Sequence, residues 1–271
     1  MPLPPILPVD SHTHTRLCRH ASGLPLDYAR AALSAGCAGI VCTDHVPFPD
    51  DPSPAIRMTA DDVPRDLDLV AAAQTSPDLP PGFVRLGLEA DFHSLLLPDW
   101  LPAILDRAPF DLVLGSIHTG PHWDMHPGDP RVTPELVLET FRAYFRKMVR
   151  LAQSGLFDAC AHFDLPKRTG LAIPLADLRE IALPALDAVA AAGMAVEINT
   201  SGCFHPAGEP YPSLPILQWM RERSIPILFG SDAHRPSDVA QRFPDALSLA
   251  RAAGYTTYTL FTRRTPVSVP F

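Results

Sequence analysis

Residues 6–14 read ILPVDSHTH, an apolar run that ends on two histidines spaced two apart. Side chains at alternate positions of a strand leave the same face, so His12 and His14 aim into one space. A stretch near the other end of the chain has the same form. Residues 228–234, LFGSDAH, end an apolar run on Asp232 and His234, again two apart. Neutral imidazole and carboxylate are ligands of Zn, Mn and Fe ions. Two such pairs at strand ends predict a shared metal site at one end of a barrel.

Between these two stretches, short apolar runs alternate with helical periodicity. Strands are expected at 6–10, 38–43, 83–89, 111–117, 157–162, 194–199, 226–231 and 256–261. Helices are expected near 26–35, 61–75, 134–153, 177–192, 213–224 and 237–253, with a weaker one near 99–107. Thr133-Pro134-Glu135 supplies a cap and a proline at the first helical position of the 134–153 segment. Gly193 supplies a C-cap after the alanine-rich run 185–192. The alternation predicts an α/β fold, a parallel sheet with helices outside. At 271 residues and 46% hydrophobic, the chain fits one (β/α) barrel or one large α/β domain. It shows no linker and no repeat of fixed period. Residues 46–65 and 119–133 read as long loops, and a barrel keeps its function in the loops at the C-terminal ends of its strands.

More ligand-type residues sit where apolar runs stop. His45 follows the second expected strand, Glu89 ends the third, His118 follows the fourth and His162 follows the fifth, while His20 lies in the loop after the first. With His12, His14, Asp232 and His234 they make nine. Any one of these histidines alone would be an ordinary core or surface residue. Nine imidazoles and carboxylates packed at one end of a barrel need cations to be stable. One ion takes about four to six ligands, so two or three divalent ions (Zn, Mn or Fe) are expected. Two metals about 3.5–4 Å apart can hold a bridging hydroxide and clamp a phosphoryl or acyl oxygen, which is hydrolysis without a protein nucleophile. Neither a G-x-S-x-G elbow nor a G-x-x-x-x-G-K-[ST] loop is present.

Other polar positions are read less sharply. His93, His122, His126 and His205 fall in expected loops and read as solvated or substrate-facing histidines. Asp44 and Asp164 flank ligands, which fits either the orienting of an imidazole or a turn or capping role. Arg168, in HFDLPKR, is either an anion-binding fork or a surface arginine, and Lys167 is a weaker candidate. Cys18 and Cys42 read as small packed hydrophobes.

The formal net charge of -8, with no Lys/Arg run, disfavours nucleic acid as the main partner and leaves a small phosphorylated substrate open. The opening MPLPPILPVD lacks the basic and apolar regions of a signal peptide, and no apolar stretch reaches the about 20 residues of a membrane helix. Five cysteines (18, 37, 42, 160, 203), odd in number and without C-x-x-C, suit a reduced, cytoplasmic protein. The 32 prolines are scattered and often mark element boundaries.

Together the stretches VDSHTHTRLCRHASG (9–23), CTDHVPFP (42–49), GLEADF (87–92), GSIHT (115–119), AHFDLPKR (161–168), EINTSG (197–202), EPYPS (209–213) and FGSDAHRP (229–236) resemble the polymerase and histidinol phosphatase (PHP) superfamily. Within it, the chain is similar to monofunctional histidinol-phosphate phosphatases. The resemblance implies a single-domain, distorted (β/α)7 TIM-like barrel and a trinuclear site with His12, His14, His20, His45, Glu89, His118, His162, Asp232 and His234 as ligands. It implies that Arg168 contacts phosphate and that L-histidinol phosphate is hydrolysed to L-histidinol and phosphate, a step of histidine biosynthesis. Members often carry an arginine just after EINTSG; here Cys203, Phe204 and His205 follow, so His205 is a candidate substitute. Three alternatives stay open: another PHP phosphoesterase acting on nucleotides or diesters, a metal-dependent amidohydrolase, and a non-catalytic metal-binding module. The amidohydrolase usually needs a lysine after a middle strand, and the only lysines are Lys147 and Lys167.

Overall fold

Strands covered by helices on the outside and packed inside must be apolar on both faces. The runs LVLGS and ILFG meet that demand and are buried along their whole length. The computed structural model describes residues 6–48, 56–92 and 97–271. Six strands pair in parallel and in chain order: β1 (Ile40–Cys42), β2 (Val84–Asp91), β3 (Leu112–Ser116), β4 (Ala159–Cys160), β5 (Ala195–Asn199) and β6 (Ile227–Gly230). Helices α1 (Pro25–Ala35) to α7 (Phe243–Ala252) alternate with them; in between come α2 (Val63–Gln74), α3 (Leu97–Leu105), α4 (Pro134–Gln153), α5 (Leu175–Ala192) and α6 (Leu214–Glu222). The expected alternation is therefore present. His93 and residues 49–55 of the expected 46–65 loop lie outside the described residues.

The expected first strand, 6–10, forms isolated bridges instead of a regular ladder, yet it closes the barrel as a seventh member. On one side Asp10 N–H donates to Gly39 O (3.1 Å) and Val41 N–H to Asp10 O (2.8 Å). On the other, Ser11 N–H donates to Phe229 O (2.8 Å), Asp232 N–H to His12 O (2.8 Å) and His14 N–H to Ala233 O (2.9 Å). This is the distorted seven-membered barrel. The Asp10 side chain fastens the seam. Fully buried, it accepts from Ser231 N (2.9 Å), Ser231 Oγ (2.5 Å) and Ala240 N (2.9 Å). Burial pushes its pKa up to about 6, against the lowering effect of those bonds.

Capping signals act as expected. Thr133 Oγ1 accepts from Leu136 N–H at 3.2 Å, and Gly193 ends α5 at φ 67°. α4 buries Phe141, Tyr144, Phe145, Met148 and Leu151. Tyr144 Oη donates to the carbonyl of His162 at 3.0 Å, so core packing reaches the strand end that carries a histidine. The expected 237–253 helix starts later, at Phe243, because Arg242 adopts a left-handed φ of 59°. No described helix is long and apolar enough to cross a membrane.

The expected strand 256–261 exists as β7 (Thr257–Thr262), but it is not parallel. It pairs antiparallel with β8 (Thr265–Pro270) in a separate hairpin. Arg263 and Arg264, at φ 47° and 61°, form the two-residue turn. Such turns favour glycine or asparagine, so the arginine pair gave no turn signal. Tertiary bonds hold the strained pair. Arg264 Nε donates to both oxygens of Asp158 (3.0 and 3.1 Å) and its Nη2 to Leu156 O (2.8 Å), while Arg263 N–H donates to Asp111 Oδ1 (2.9 Å). Asp111 and Asp158 precede β3 and β4, so the hairpin fastens to the end of the barrel opposite the histidines. Arg264→Ala should therefore lower unfolding free energy in urea by about 1–3 kcal/mol and leave the metal content of the folded protein as in wild type.

Candidate metal centre

The site is assembled by the two-residue period of strands. His12 and His14 leave one face of the closing segment, Glu89 and Asp91 one face of β2, and Glu197 and Asn199 one face of β5. The structure brings all nine expected ligands together. Glu89 is the hub. Its Oε2 lies 3.0 Å from His45 Nδ1, 3.3 Å from His12 Nε2 and 3.4 Å from His14 Nε2. Its Oε1 lies 3.2 Å from His162 Nε2 and 3.6 Å from His118 Nε2. Asp232 Oδ1 is 3.2 Å from His14 Nε2 and 3.6 Å from His12 Nε2. His234 joins by its Nε2, 2.8 Å from His20 Nε2. The side chains of His12, His14 and Glu89 are wholly buried, whereas Asp232, His118 and His234 are partly open at 17%, 25% and 32%.

The hydrogen bonds behind the ring decide which nitrogens face inward. His20 Nδ1 donates to Cys18 O (2.7 Å) and His234 Nδ1 to Asp232 O (2.9 Å). Carbonyls only accept, so both Nδ1 atoms carry hydrogen and two neutral rings would present bare Nε2 lone pairs to each other. His12 Nδ1 meets Glu197 Oε1 at 2.7 Å, and His118 Nδ1 meets Asp91 Oδ1 at 2.6 Å. Their Nε2 atoms lie 3.0 Å from His14 Nε2 and 3.2 Å from His162 Nε2. Nitrogen ligands at about 2.0–2.1 Å from an ion sit about 2.9–3.4 Å apart in octahedral or tetrahedral geometry. The observed spacing is thus that of a coordination sphere.

Unpartnered polar atoms in the buried floor fit bound cations as well. Buried Glu89 Oε2, His45 Nδ1 and His162 Nδ1 have no hydrogen-bond partner. Orphaned buried polar atoms are costly, and cations satisfy two of these three by coordination. Ligand atoms lie within 4.8 Å of one another in the groups His14/His45/His234, His12/His14/Asp232, His45/Glu89/His118 and His14/Cys18/Asp44. Glu89 and Asp232 are held well below the usual carboxylate range: burial opposes ionisation, but His45 and His12 for Glu89, and His12 and His14 for Asp232, outweigh it. For His118, burial would lower the pKa, yet Asp91 and Glu89 push it up to about 9.

The remaining expected residues divide. Arg168 is half-buried, with its guanidinium 5.1 Å over the Trp123 ring, in a crevice shared with His122. His205 is exposed, and its pKa is lowered by desolvation and then by Arg168, and raised by Asp232. The His126 ring bonds Pro127 O at 3.1 Å, and no hydrogen bond joins it to the nine ligands among the described residues. Asp44 does not bond an imidazole; it accepts from Thr15 N, Thr15 Oγ1 and Cys18 Sγ (2.5, 2.5 and 2.9 Å). Asp164 likewise holds Ser213 N–H (3.0 Å) and Lys167 (3.0 Å) instead of an imidazole. Lys167 also pairs with Glu209 at 2.8 Å and is structural. The residues that orient imidazoles are Glu197 and Asp91, neither of which stood out in the sequence. Glu197 also accepts His162 N–H (2.9 Å) and Asn199 Nδ2–H (3.0 Å), and Asp91 pairs with Arg57.

The PHP domain pattern matches residues 10–201, well over half of the chain. The chain belongs to the PHP domain family. Among PHP relatives it is similar to a probable histidinol-phosphatase of Deinococcus radiodurans, 39% identical over 268 residues, covering 94% of this chain and 97% of that protein. It is also similar to the histidinol-phosphatase of Bacillus subtilis, 27% identical, covering 86% and 96%. In structure it is similar to the histidinol phosphate phosphatase of Lactococcus lactis, solved with Zn, L-histidinol and phosphate. There the TM-score is 0.77 at 23% identity, covering 96% of this chain and 98% of that one. That likeness carries the PHP barrel.

Gly230 is where the barrel is tightest around the PHP site. A Cβ there would overlap Glu197 Oε1 and lie 2.6 Å from His12 Cβ. Gly230→Ala should push Glu197 off His12 and weaken metal retention about 10–100-fold, read as metal content after dialysis against a graded chelator.

Proposed function

We propose that this chain is a metal-dependent phosphomonoesterase that hydrolyses L-histidinol phosphate to L-histidinol and phosphate. The observation that carries the reading is the complete ring of seven imidazoles and two carboxylates, in a chain 39% identical over 94% of its length to a probable histidinol-phosphatase. His12, His14, Glu89 and Asp232 would hold one part of a two- or three-ion cluster, His45, His118 and His162 with Glu89 another, and His20 and His234 the outermost part. Zinc is the first ion to test, because the Lactococcus relative was solved with it. Bound there, the ions supply Lewis acidity toward phosphoryl oxygens and acidify water, so no side chain has to act as nucleophile.

The chain's own residues do the rest. Glu197 and Asp91 fix the tautomers of His12 and His118, and the Cys18 and Asp232 carbonyls fix those of His20 and His234, so the Nε2 atoms stay available. The buried floor of His12, His14 and Glu89 excludes bulk water, which strengthens every charge interaction at the reacting phosphorus. Arg168, laid against Trp123, offers a flat fork of donors to the phosphoryl oxygens. His205, whose electrostatics are set in part by Arg168 and Asp232, is the candidate second phosphate contact.

Protein reloaded with Zn, Mn or Fe should release phosphate from L-histidinol phosphate with kcat/KM at least about tenfold above that for p-nitrophenyl phosphate, a difference of about 1.4 kcal/mol. Turnover of a bis-ester alone would discard this substrate. Asp232→Ala should lose bound metal and at least about 100-fold in kcat/KM together; full activity in that variant would remove Asp232 from the ligand set.

A further inference from the structure

Cys18 touches three of the seven imidazole residues, His14, His20 and His45. It is fully buried, with no exposed surface. Its Sγ lies 3.4 Å from His14 Nδ1, accepts the backbone N–H of His45 at 3.1 Å and donates to Asp44 Oδ1 at 2.9 Å. Its carbonyl accepts His20 Nδ1–H at 2.7 Å. A packed hydrophobe would make none of the three sulfur contacts. The 2.9 Å contact with Asp44 Oδ1 is that of a thiol donating its hydrogen to a carboxylate oxygen.

The direction of that proton is fixed from behind. Asp44 is anchored by Thr15 N–H on Oδ1 and Thr15 Oγ1–H on Oδ2, at 2.5 Å each, so both of its oxygens already act as acceptors. The thiol hydrogen therefore points at Asp44, and the sulfur lone pairs are left for N–H donors. His14 Nδ1 is one of two at that sulfur. When Nδ1 carries the hydrogen, the free lone pair of His14 is on Nε2, the atom that faces His12, Asp232 and Glu89 at 3.0, 3.2 and 3.4 Å.

We propose that Cys18 is a positioning residue of the metal centre: its thiol sets the tautomer of His14 and ties the backbone of His45 to the turn whose carbonyl sets that of His20. The proposal rests on the reading of those three histidines as ligands. Cys18 acts from behind the ligands, since its sulfur meets His14 at Nδ1 while Nε2 faces His12 and Asp232. A sulfur bond is weak, but a partner behind a ligating histidine is worth about 10–100-fold in metal affinity.

The test is zinc binding by the metal-free full chain, measured in competition with a chromophoric chelator. Wild type, Cys18→Ala, Cys18→Ser, Cys37→Ala and His14→Ala are compared. Cys18→Ala is expected to bind its weakest zinc about 10–100-fold less tightly. Cys18→Ser, whose hydroxyl has the same donor and acceptor roles, should recover most of that loss. Cys37→Ala, a buried cysteine far from the ring, should bind as wild type. Wild-type protein loaded with Co(II) should show no sulfur-to-cobalt charge-transfer band. Unchanged zinc affinity in Cys18→Ala, an equal loss in Cys37→Ala, or a sulfur-to-cobalt band would each overturn the proposal. Should Cys18→Ala fail to fold by circular dichroism, the serine variant decides, since a loss as large as that of His14→Ala would contradict it. Full zinc binding by His14→Ala would instead overturn the ligand reading itself.

Discussion

Glu89 Oε2 sits at the bottom of a closed barrel, within 3.4 Å of nitrogens from His45, His12 and His14, and no hydrogen bond reaches it. A buried carboxylate costs several kcal/mol unless it meets a counter-charge. Protons on the surrounding rings could supply that charge only by creating further buried cations 3 Å apart. Divalent ions resolve the conflict, since each replaces several protons and takes lone pairs from many sides. The rest of the structure is arranged so that those lone pairs point inward.

That arrangement is costly for a fold, and the barrel meets the cost at its other end and around its seam. The apolar strands give a core buried on both faces, and the C-terminal hairpin fastens below it through Arg264 and Asp158. Asp10 joins the first segment to β6, which places His12 beside Asp232. Tyr144 ties α4 to the carbonyl of His162, where the backbone takes a φ of 29°. The ligands thus gather at and just after strand ends, while Arg168, Trp123 and His205 sit in the segments that follow.

Much of the site was legible because its ligands end apolar runs. A polar residue at the end of a parallel strand has few structural uses, so the position itself is informative. Glu197 was not legible for the opposite reason. It lies inside the run AVEIN, where a charge breaks the strand pattern without marking its end. Asp91 repeats the two-residue spacing of His12 and His14 from Glu89, and that spacing was the signal for it. Of the two roles open for Asp44, the turn role holds, because neighbours on an extended chain point to opposite sides and an aspartate next to His45 faces Thr15 and Cys18. Asp164 comes after β4 has ended and His162 has turned the backbone, so the strand period no longer applies. The final hairpin was hidden because Arg263 and Arg264 take a turn conformation that their own chemistry does not favour.

The central claim is that cations, not protons, fill the ring. Anomalous diffraction from crystals of the purified protein at the absorption edges of Zn, Mn and Fe measures this directly. The account predicts two or three peaks clustered around Glu89, each in contact with Nε2 or Nδ1 of the seven histidines or with Asp232. A ring without anomalous density in protein that hydrolyses phosphomonoesters, or a lone peak elsewhere in the molecule, would contradict it.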